Sequence, residues 1–301
     1  MRLEAHHHGL GDKLDGAIGV QLSDTDFAAV GEEAFLTATT TRDLGAFDVE
    51  RWDNGVWGVE GGARLERRDL DNVKAGDFDF TAASFSAGAF VRPATNWFLA
   101  ATLARTERAP TAVELFADGP HIATDAYEDG STTLDKETAT TIEASLRYTT
   151  ERARFELNIY RADYADYIAL VDSGLVFVES TLTFEEPALV APGEETLPLF
   201  NYVARDAVFT GGEVLVSGDL LSRGGFTLRG DAALDLVRAE FDGGGNLPRI
   251  PPRTLTLGLE GDWRAFTALG KRWMLRNKIA RQPCSPRAAA TRSTTRASPG
   301  R

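Results

Sequence analysis

Between Trp97 and Tyr148 the chain reads WFLAATLARTERAPTAVELFADGPHIATDAYEDGSTTLDKETATTIEASLRY. At its start Trp97, Leu99, Ala101 and Leu103 share one parity, and Ala100, Thr102, Ala104 and Thr106 fill the other. At its end Ile142, Ala144, Leu146 and Tyr148 alternate with Thr141, Glu143, Ser145 and Arg147. A period of two is that of a β-strand whose faces meet different surroundings. The polar segment from Glu107 to Glu137 joins the two runs. A connection of that length is uncommon in a compact domain and usually carries function or marks disorder.

The same period recurs on both sides. Leu14, Gly16, Ile18, Val20 and Leu22 face one way within Lys13 to Ser23; Trp57, Val59, Gly61, Ala63 and Leu65 do so within Trp57 to Glu66. Further runs lie at 2–8, 42–52, 77–92, from Phe155 through the tyrosines of DYADY, and at 201–217, 226–237 and 255–263, giving about 11 strands. Asp53-Asn54-Gly55 suits a tight hairpin turn, because Asn-Gly tolerates positive φ. Long connections are expected at 24–41, 67–76, 107–137, 172–198 and 242–253, and short ones at 53–55, 93–96, 149–152 and 218–225. This alternation describes an up-and-down meander with one decorated and one plain end.

Composition narrows the class. Hydrophobic residues make up 43% of the chain and mean hydropathy is −0.21, values shared by soluble proteins and by barrels whose strands are half polar. No run of about 18 apolar residues is present to form a membrane helix. Net charge is −13, and all 45 acids precede Lys271, which argues against nucleic acid as partner of the main body. The single Cys284 excludes an intrachain disulfide. The N-terminal MRLEAHHHGLGDK has neither the basic start nor the apolar core of a secretory signal, which implies either a cytoplasmic chain or a missing beginning.

Strands of roughly 10 to 16 residues exceed the usual ~5–6 of soluble sheets and satisfy the ~9–11 of tilted membrane strands. Lipid offers no partners to backbone N–H and C=O groups, so spanning strands must close into a cylinder. The expected fold is therefore all-β: an antiparallel up-and-down transmembrane β-barrel with Phe, Leu, Val and Ala toward lipid. Its interior would be lined by Thr, Glu, Asp and Arg. Trp57, Trp97, Tyr148 and Trp263 fall near strand ends, where interfacial girdles lie. The competing class is a soluble all-β carbohydrate-binding or glycoside-hydrolysing domain. Its acid pairs are not placed in a shared cleft by any motif, and without a nucleophile elbow, HExxH or cysteine–histidine pairing the chain does not read as an enzyme.

The run ARTERAPTAVELFADGPHIATDAYEDGSTTLDKETATTIEASLRY resembles the barrel region of TonB-dependent outer-membrane receptors, as do FNYVARDAVFTGGEV (Phe200–Val214) and DGGGNLPRIPPRTLTLGLEG (Asp242–Gly261). The likeness extends from Leu3 to about Phe266 and leans toward the iron and zinc branch. It implies a 22-stranded, plugged barrel in the outer membrane of a Gram-negative bacterium, taking up ferric siderophores, haem, zinc or other scarce nutrients with energy from TonB. The expected partners are the nutrient at extracellular loops, outer-membrane lipid and TonB. No plug or TonB-contacting segment precedes the barrel region, and 11 strands amount to half a barrel, so a truncated receptor is expected. Such a chain alone would not be competent for transport. Residues 1–268 form the expected partial barrel. Residues 269–301 form a basic, low-order tail whose loss of acids and alternation resembles a shifted reading frame.

No resident cofactor is implied; a metal or chelate would be cargo. In the long loop Asp118, His121, Asp125 and Glu128 offer oxygen and imidazole donors of the kind that hold zinc or iron, though without compact ligand spacing. Arg105 and Arg108, which flank Glu107, are expected to pair with acids of the wall, the alternative being a direct role in binding an anionic siderophore. His6, His7 and His8 cannot converge while the strand continues through them. Gly211-Gly212 and the glycines of DGGGN lack the context of a P-loop and read as bulge and turn positions.

Overall fold

The computed structural model describes residues 1–276 apart from 30, 32, 33 and 265. Its strands are β1 (Arg2–Gly9), β2 (Leu14–Phe27), β3 (Thr39–Asp53), β4 (Trp57–Asn72), β5 (Gly76–Val91) and β6 (Trp97–Arg108). Helix α1 (Ala112–Phe116), β7 (Asp118–His121) and β8 (Ala126–Asp129) follow within the long loop. The chain continues through β9 (Glu137–Thr149), β10 (Ala153–Val178), β11 (Thr183–Glu185), β12 (Thr196–Arg223), β13 (Phe226–Phe241), β14 (Arg253–Trp263) and β15 (Phe266–Arg276). Twelve strands pair in the order β1-β2-β3-β4-β5-β6-β9-β10-β12-β13-β14-β15, while β7, β8 and β11 lie off that path. Every neighbouring pair along the path is antiparallel.

Register explains the two faces. Directly opposed residues share a face, so Val91, Leu99, Leu146, Leu157, Val214, Leu234 and Leu255 form one continuous apolar row across seven strands. These side chains do not pack under another layer: Leu65, Leu103 and Ile142 remain 56%, 56% and 58% exposed. An apolar face so extensive is foreign to a monomer in water and natural to a wall in lipid. Trp57, Trp97, Tyr148 and Trp263 edge the face at its short-turn end, with Trp97 on Tyr148 at 4.8 Å between ring centroids. At the other edge stand same-face ion pairs two residues apart, Arg67–Asp69, Arg161–Asp163 and Arg238–Glu240. From Trp57 to Arg67 the strand climbs about 25 Å at ~3.3 Å per residue and ~40° tilt, the height of a membrane apolar band.

Several boundaries differ from the sequence reading. The expected long link at 67–76 is a three-residue turn, because β4 and β5 keep pairing to Asn72↔Gly76 beyond the apolar band. There the Asn72 side chain accepts from the Lys74 and Ala75 N–H groups, and Gly76 takes φ +86°. The expected 218–225 connection shrinks to Gly224-Gly225, both at positive φ as a two-residue hairpin requires. β10 and β12 reach 26 and 28 residues, longer than expected, since outside lipid a strand needs no apolar face to pair. Gly211-Gly212 is not a bulge: Gly211 pairs regularly with Tyr160, and a Cβ there would lie 2.5 Å from the Tyr160 ring. β15 supplies a twelfth strand and carries backbone pairing to Arg276, past the boundary at 268 where composition changes. The remainder of the basic tail, 277–301, lies outside the described residues.

Candidate functional site

The segment from Ala109 to Lys136 does not project as an open hairpin. It folds onto the polar face at the long-loop end, and the anchoring starts at its base. Arg108 ends β6, and its guanidinium donates to Glu114 at 2.8 and 3.1 Å and to Glu137 at 2.9 Å. Glu114 also closes a capping box: it accepts from the Thr111 N–H at 2.7 Å while Thr111 Oγ1 accepts from the Glu114 N–H. α1 thus begins at Ala112, immediately after its cap residue Thr111. Arg68 of β4 donates to the Ala109 and Pro110 carbonyls while paired with Asp43 at 2.7 Å, tying the loop base to the wall.

Leu115 and Phe116 of α1 enter a buried cluster with Leu36, Leu70, Leu134 and Ile168, flanked by Phe78, Phe80 and Tyr202. The contributors come from five separate parts of the chain, so the loop is held as a lid against the inner wall. Beyond α1, β7 and β8 form a small hairpin, and β8 adds in parallel to β12 through Leu199↔Tyr127 to Asn201↔Asp129.

The four loop residues singled out as donors fall into different environments. Glu128 is buried, 1% exposed, and accepts from Thr124 Oγ1 at 2.9 Å and Tyr202 Oη at 3.2 Å, with His121 Nδ1 at 3.1 Å. The His121 ring stacks on Phe35 at 4.2 Å. Asp118 points elsewhere, bound to Lys74 Nζ at 2.7 Å and Tyr127 Oη at 2.8 Å. Lys74, and then Tyr127, hold its carboxyl below the usual carboxylate range. Asp125 sits exposed in the left-handed region at φ 51°, closing a 3-10 turn. The structure therefore joins His121 to Glu128 and leaves Asp118 and Asp125 apart. Among the described residues no three His, Cys, Asp or Glu side chains form a metal-holding group.

Asp129 faces Asp118 directly across the hairpin, and partial desolvation followed by the Asp118 charge raises its carboxyl above the ordinary value. The partners absent from the sequence reading are Lys74, Arg68, Phe35 and Tyr202. Each is separated from its contact by tens of residues, and no local spacing marks them. Arg105 pairs with Glu107 at 3.0 Å, and Glu107 also takes Lys136 at 2.9 Å, so these charges do bind acids and bases of the wall and loop base. In β1, His7 meets Glu50, whereas His6 and His8 lie on the opposite face with Glu4 and Asp15.

An antiparallel wall with an exposed apolar belt, an aromatic edge at the short-turn end and a lid folded onto its polar face is the wall of an outer-membrane β-barrel. The chain belongs to the TonB-dependent receptor-like β-barrel family, whose model matches residues 4–298. It is similar in fold to a copper transporter, OprC, at 20% identity and a TM-score of 0.68 over 93% of this chain and 43% of that one. The FrpB iron transporter from Neisseria meningitidis follows at 14% identity and 0.61, covering 87% and 39%. The ferric yersiniabactin uptake receptor FyuA from Yersinia pestis matches at 15% identity and 0.57, covering 90% and 40%. The chain spans about two fifths of the length of these structures. Receptors of this family reside in the outer membrane of Gram-negative bacteria and serve transport rather than catalysis. The soluble carbohydrate-binding or hydrolytic alternative finds no support in the family or in the exposed apolar belt.

Proposed function

We propose that this chain forms wall and lid of an outer-membrane receptor that takes up a scarce metal or metal chelate with energy from TonB. The observation carrying this reading is the lid, Ala109 to Lys136, packed by α1 and the β7–β8 hairpin against the polar face at the long-loop end of a lipid-facing wall. Three of the structures it resembles are described as transporters or receptors for copper, iron and ferric yersiniabactin. The cargo class is therefore read as a metal or its chelate.

Within this reading the nutrient meets the lid as an intact chelate. Asp118 is bound to Lys74 and Tyr127, and Glu128 to Thr124, Tyr202 and His121, so bare-metal ligation by these carboxylates would have to displace those bonds. Asp125 is exposed and available for such contact. The test is uptake of labelled ferric siderophore, haem iron, copper and zinc by cells dependent on this receptor, with and without TonB and with residues 111–134 replaced by a short glycine-serine turn. TonB-dependent uptake of one cargo that falls with the lid replacement is expected. Absence of TonB-dependent uptake of all four overturns the reading.

A further inference from the structure

The lipid-facing surface carries acids inside its apolar band at one place, on β3, away from the lid and outside the uptake reading. Ala46, Asp48, Glu50 and Trp52 directly oppose Leu65, Ala63, Gly61 and Val59 of β4, and Val20, Ile18, Gly16 and Leu14 of β2, so all four belong to the outward face. Trp52 meets Trp57 at 4.7 Å between ring centroids, within the aromatic edge. From Trp52, Glu50 stands about 5 Å and Asp48 about 10 Å further into the band, at ~3.3 Å rise per residue and ~40° tilt. Two carboxylates thus occupy levels where the neighbouring strands carry Gly, Ala and Ile. Two strands flank β3 on each side, β1–β2 and β4–β5, so closing the wall elsewhere leaves these surroundings unchanged.

Their local partners do not satisfy them. Glu50 reaches across β2 to His7 Nε2 at 2.9 Å, passing over Gly16, where a Cβ would collide with both side chains. That contact uses one of roughly four acceptor positions of the carboxylate. Asp48 has the apolar Ile18 and Ala63 beside it and makes no ion pair or hydrogen bond among the described residues. A carboxylate in contact with lipid is costly, and such groups persist where they meet a partner or draw the bilayer surface toward themselves.

The partner these acids call for is a cation. Among the described residues the short-turn half of this face holds no Lys or Arg, so a second copy of the chain has none to offer. The charged patch covers two levels of one strand beside the aromatic edge. That is the size of a lipid headgroup, far below the ~800 Å² per partner of a stable protein interface. We propose that Asp48 and Glu50 form a headgroup site that holds the primary ammonium of an aminophospholipid from the leaflet at the short-turn end. Gly16 and Gly61, which oppose Glu50 on either side, leave the recess into which the headgroup is drawn. A primary ammonium brings three N–H donors to the two carboxylates, whereas a trimethylammonium group brings charge without donors.

The test is native mass spectrometry of the full chain in detergent micelles supplied with equimolar phosphatidylethanolamine and phosphatidylcholine of matched acyl chains. The first lipid adduct should favour phosphatidylethanolamine about 5-fold, the worth of one charge contact at a membrane surface. In Asp48→Asn/Glu50→Gln the preference should fall below ~2-fold. Asp69→Asn, at the opposite edge of the same face, should leave it within ~2-fold of the parent. If the double variant folds poorly, Asp48→Leu replaces a charge by an apolar group that suits lipid, and it should fold at least as well as the parent while losing about half or more of the preference. Equal retention of the two lipids by the parent chain, or an undiminished preference in a folded Asp48 variant, overturns the assignment. So does a parent dimer that Asp48→Leu dissociates without any lipid preference, which would give the face to a second copy.

Discussion

At the scale of single residues, two kinds of position give sharp expectations. Gly58 faces Phe90 so closely that a Cβ would stand 2.2 Å from its ring and 2.3 Å from the Trp52 carbonyl oxygen, a backbone atom that cannot swing aside. Gly58→Ala should therefore cost about 1–3 kcal/mol, read as a lowered unfolding temperature in micelles. Gly61→Ala on the same strand meets nothing nearer than 3.5 Å and should stay within about 0.5 kcal/mol. The second kind is the facing pair Asp118 and Asp129. Asp118 is depressed by Lys74, so its contribution to the β7–β8 hairpin is present at neutral pH and fades as pH falls through its lowered value. Asp129 is raised, so the sign reverses: its ionised form opposes the folded hairpin at neutral pH, and acidification relieves that cost. Hydrogen exchange of the 118–129 amides should accordingly slow at pH 7 in Asp129→Asn and quicken in Lys74→Gln. Faster exchange in Asp129→Asn at pH 7 would contradict the assignment.

At the scale of elements, the lid depends on α1, which is too short to persist without its packing. Leu115 is 1% exposed in the loop cluster, and Leu115→Ala should remove about 2–5 kcal/mol of lid stability. Thr111→Ala, which opens the capping box, should remove about 1 kcal/mol. Limited proteolysis should place the new cuts within residues 109–136 while the far-ultraviolet strand signal stays unchanged, because the wall does not rest on the lid. Cuts distributed over the wall would show instead that lid and wall unfold together. The wall strands were legible because lipid on one side and polar surroundings on the other impose a period of two, as in Trp97 to Leu103. The lid was not. Its capping box, Thr111 to Glu114, stands in the sequence, but one helical turn leaves no repeat to confirm it. Its partners Leu36, Leu70, Ile168 and Tyr202 are assembled only by the fold. The turn at 73–75 escaped for a related reason: Arg67, Asp69 and Asp71 read as a loop, yet they pair as strand where lipid no longer selects the outward residue.

At the scale of the whole molecule, what makes this a membrane wall is the separation of its faces, and adjacent positions can test that separation. Ala144 and Ser145 are neighbours on β9. Ala144 opposes Ala101 and Ile159 in the apolar belt, whereas Ser145 opposes Ala100 and Asn158 on the polar face. Ala144 lies midway between Tyr148 at the aromatic edge and Thr140 near the upper one, so an arginine there would enter the middle of the hydrocarbon. Its side chain is too short to reach either interface without distorting the strand or the bilayer, at a cost of about 2–4 kcal/mol. Ser145→Arg places the same charge, in the same strand, among polar neighbours and pays no such penalty. The two variants share composition, net charge and intrinsic strand propensity to within one residue, which leaves lipid as the source of any difference. Folding into phosphatidylcholine vesicles, followed by heat-modifiable gel mobility and urea titration, should show Ala144→Arg losing about 2–4 kcal/mol and Ser145→Arg less than about 1 kcal/mol. Equal losses would mean that the apolar belt does not face lipid; in detergent-free buffer the discrimination between the two should vanish, because water solvates an arginine equally well on either face.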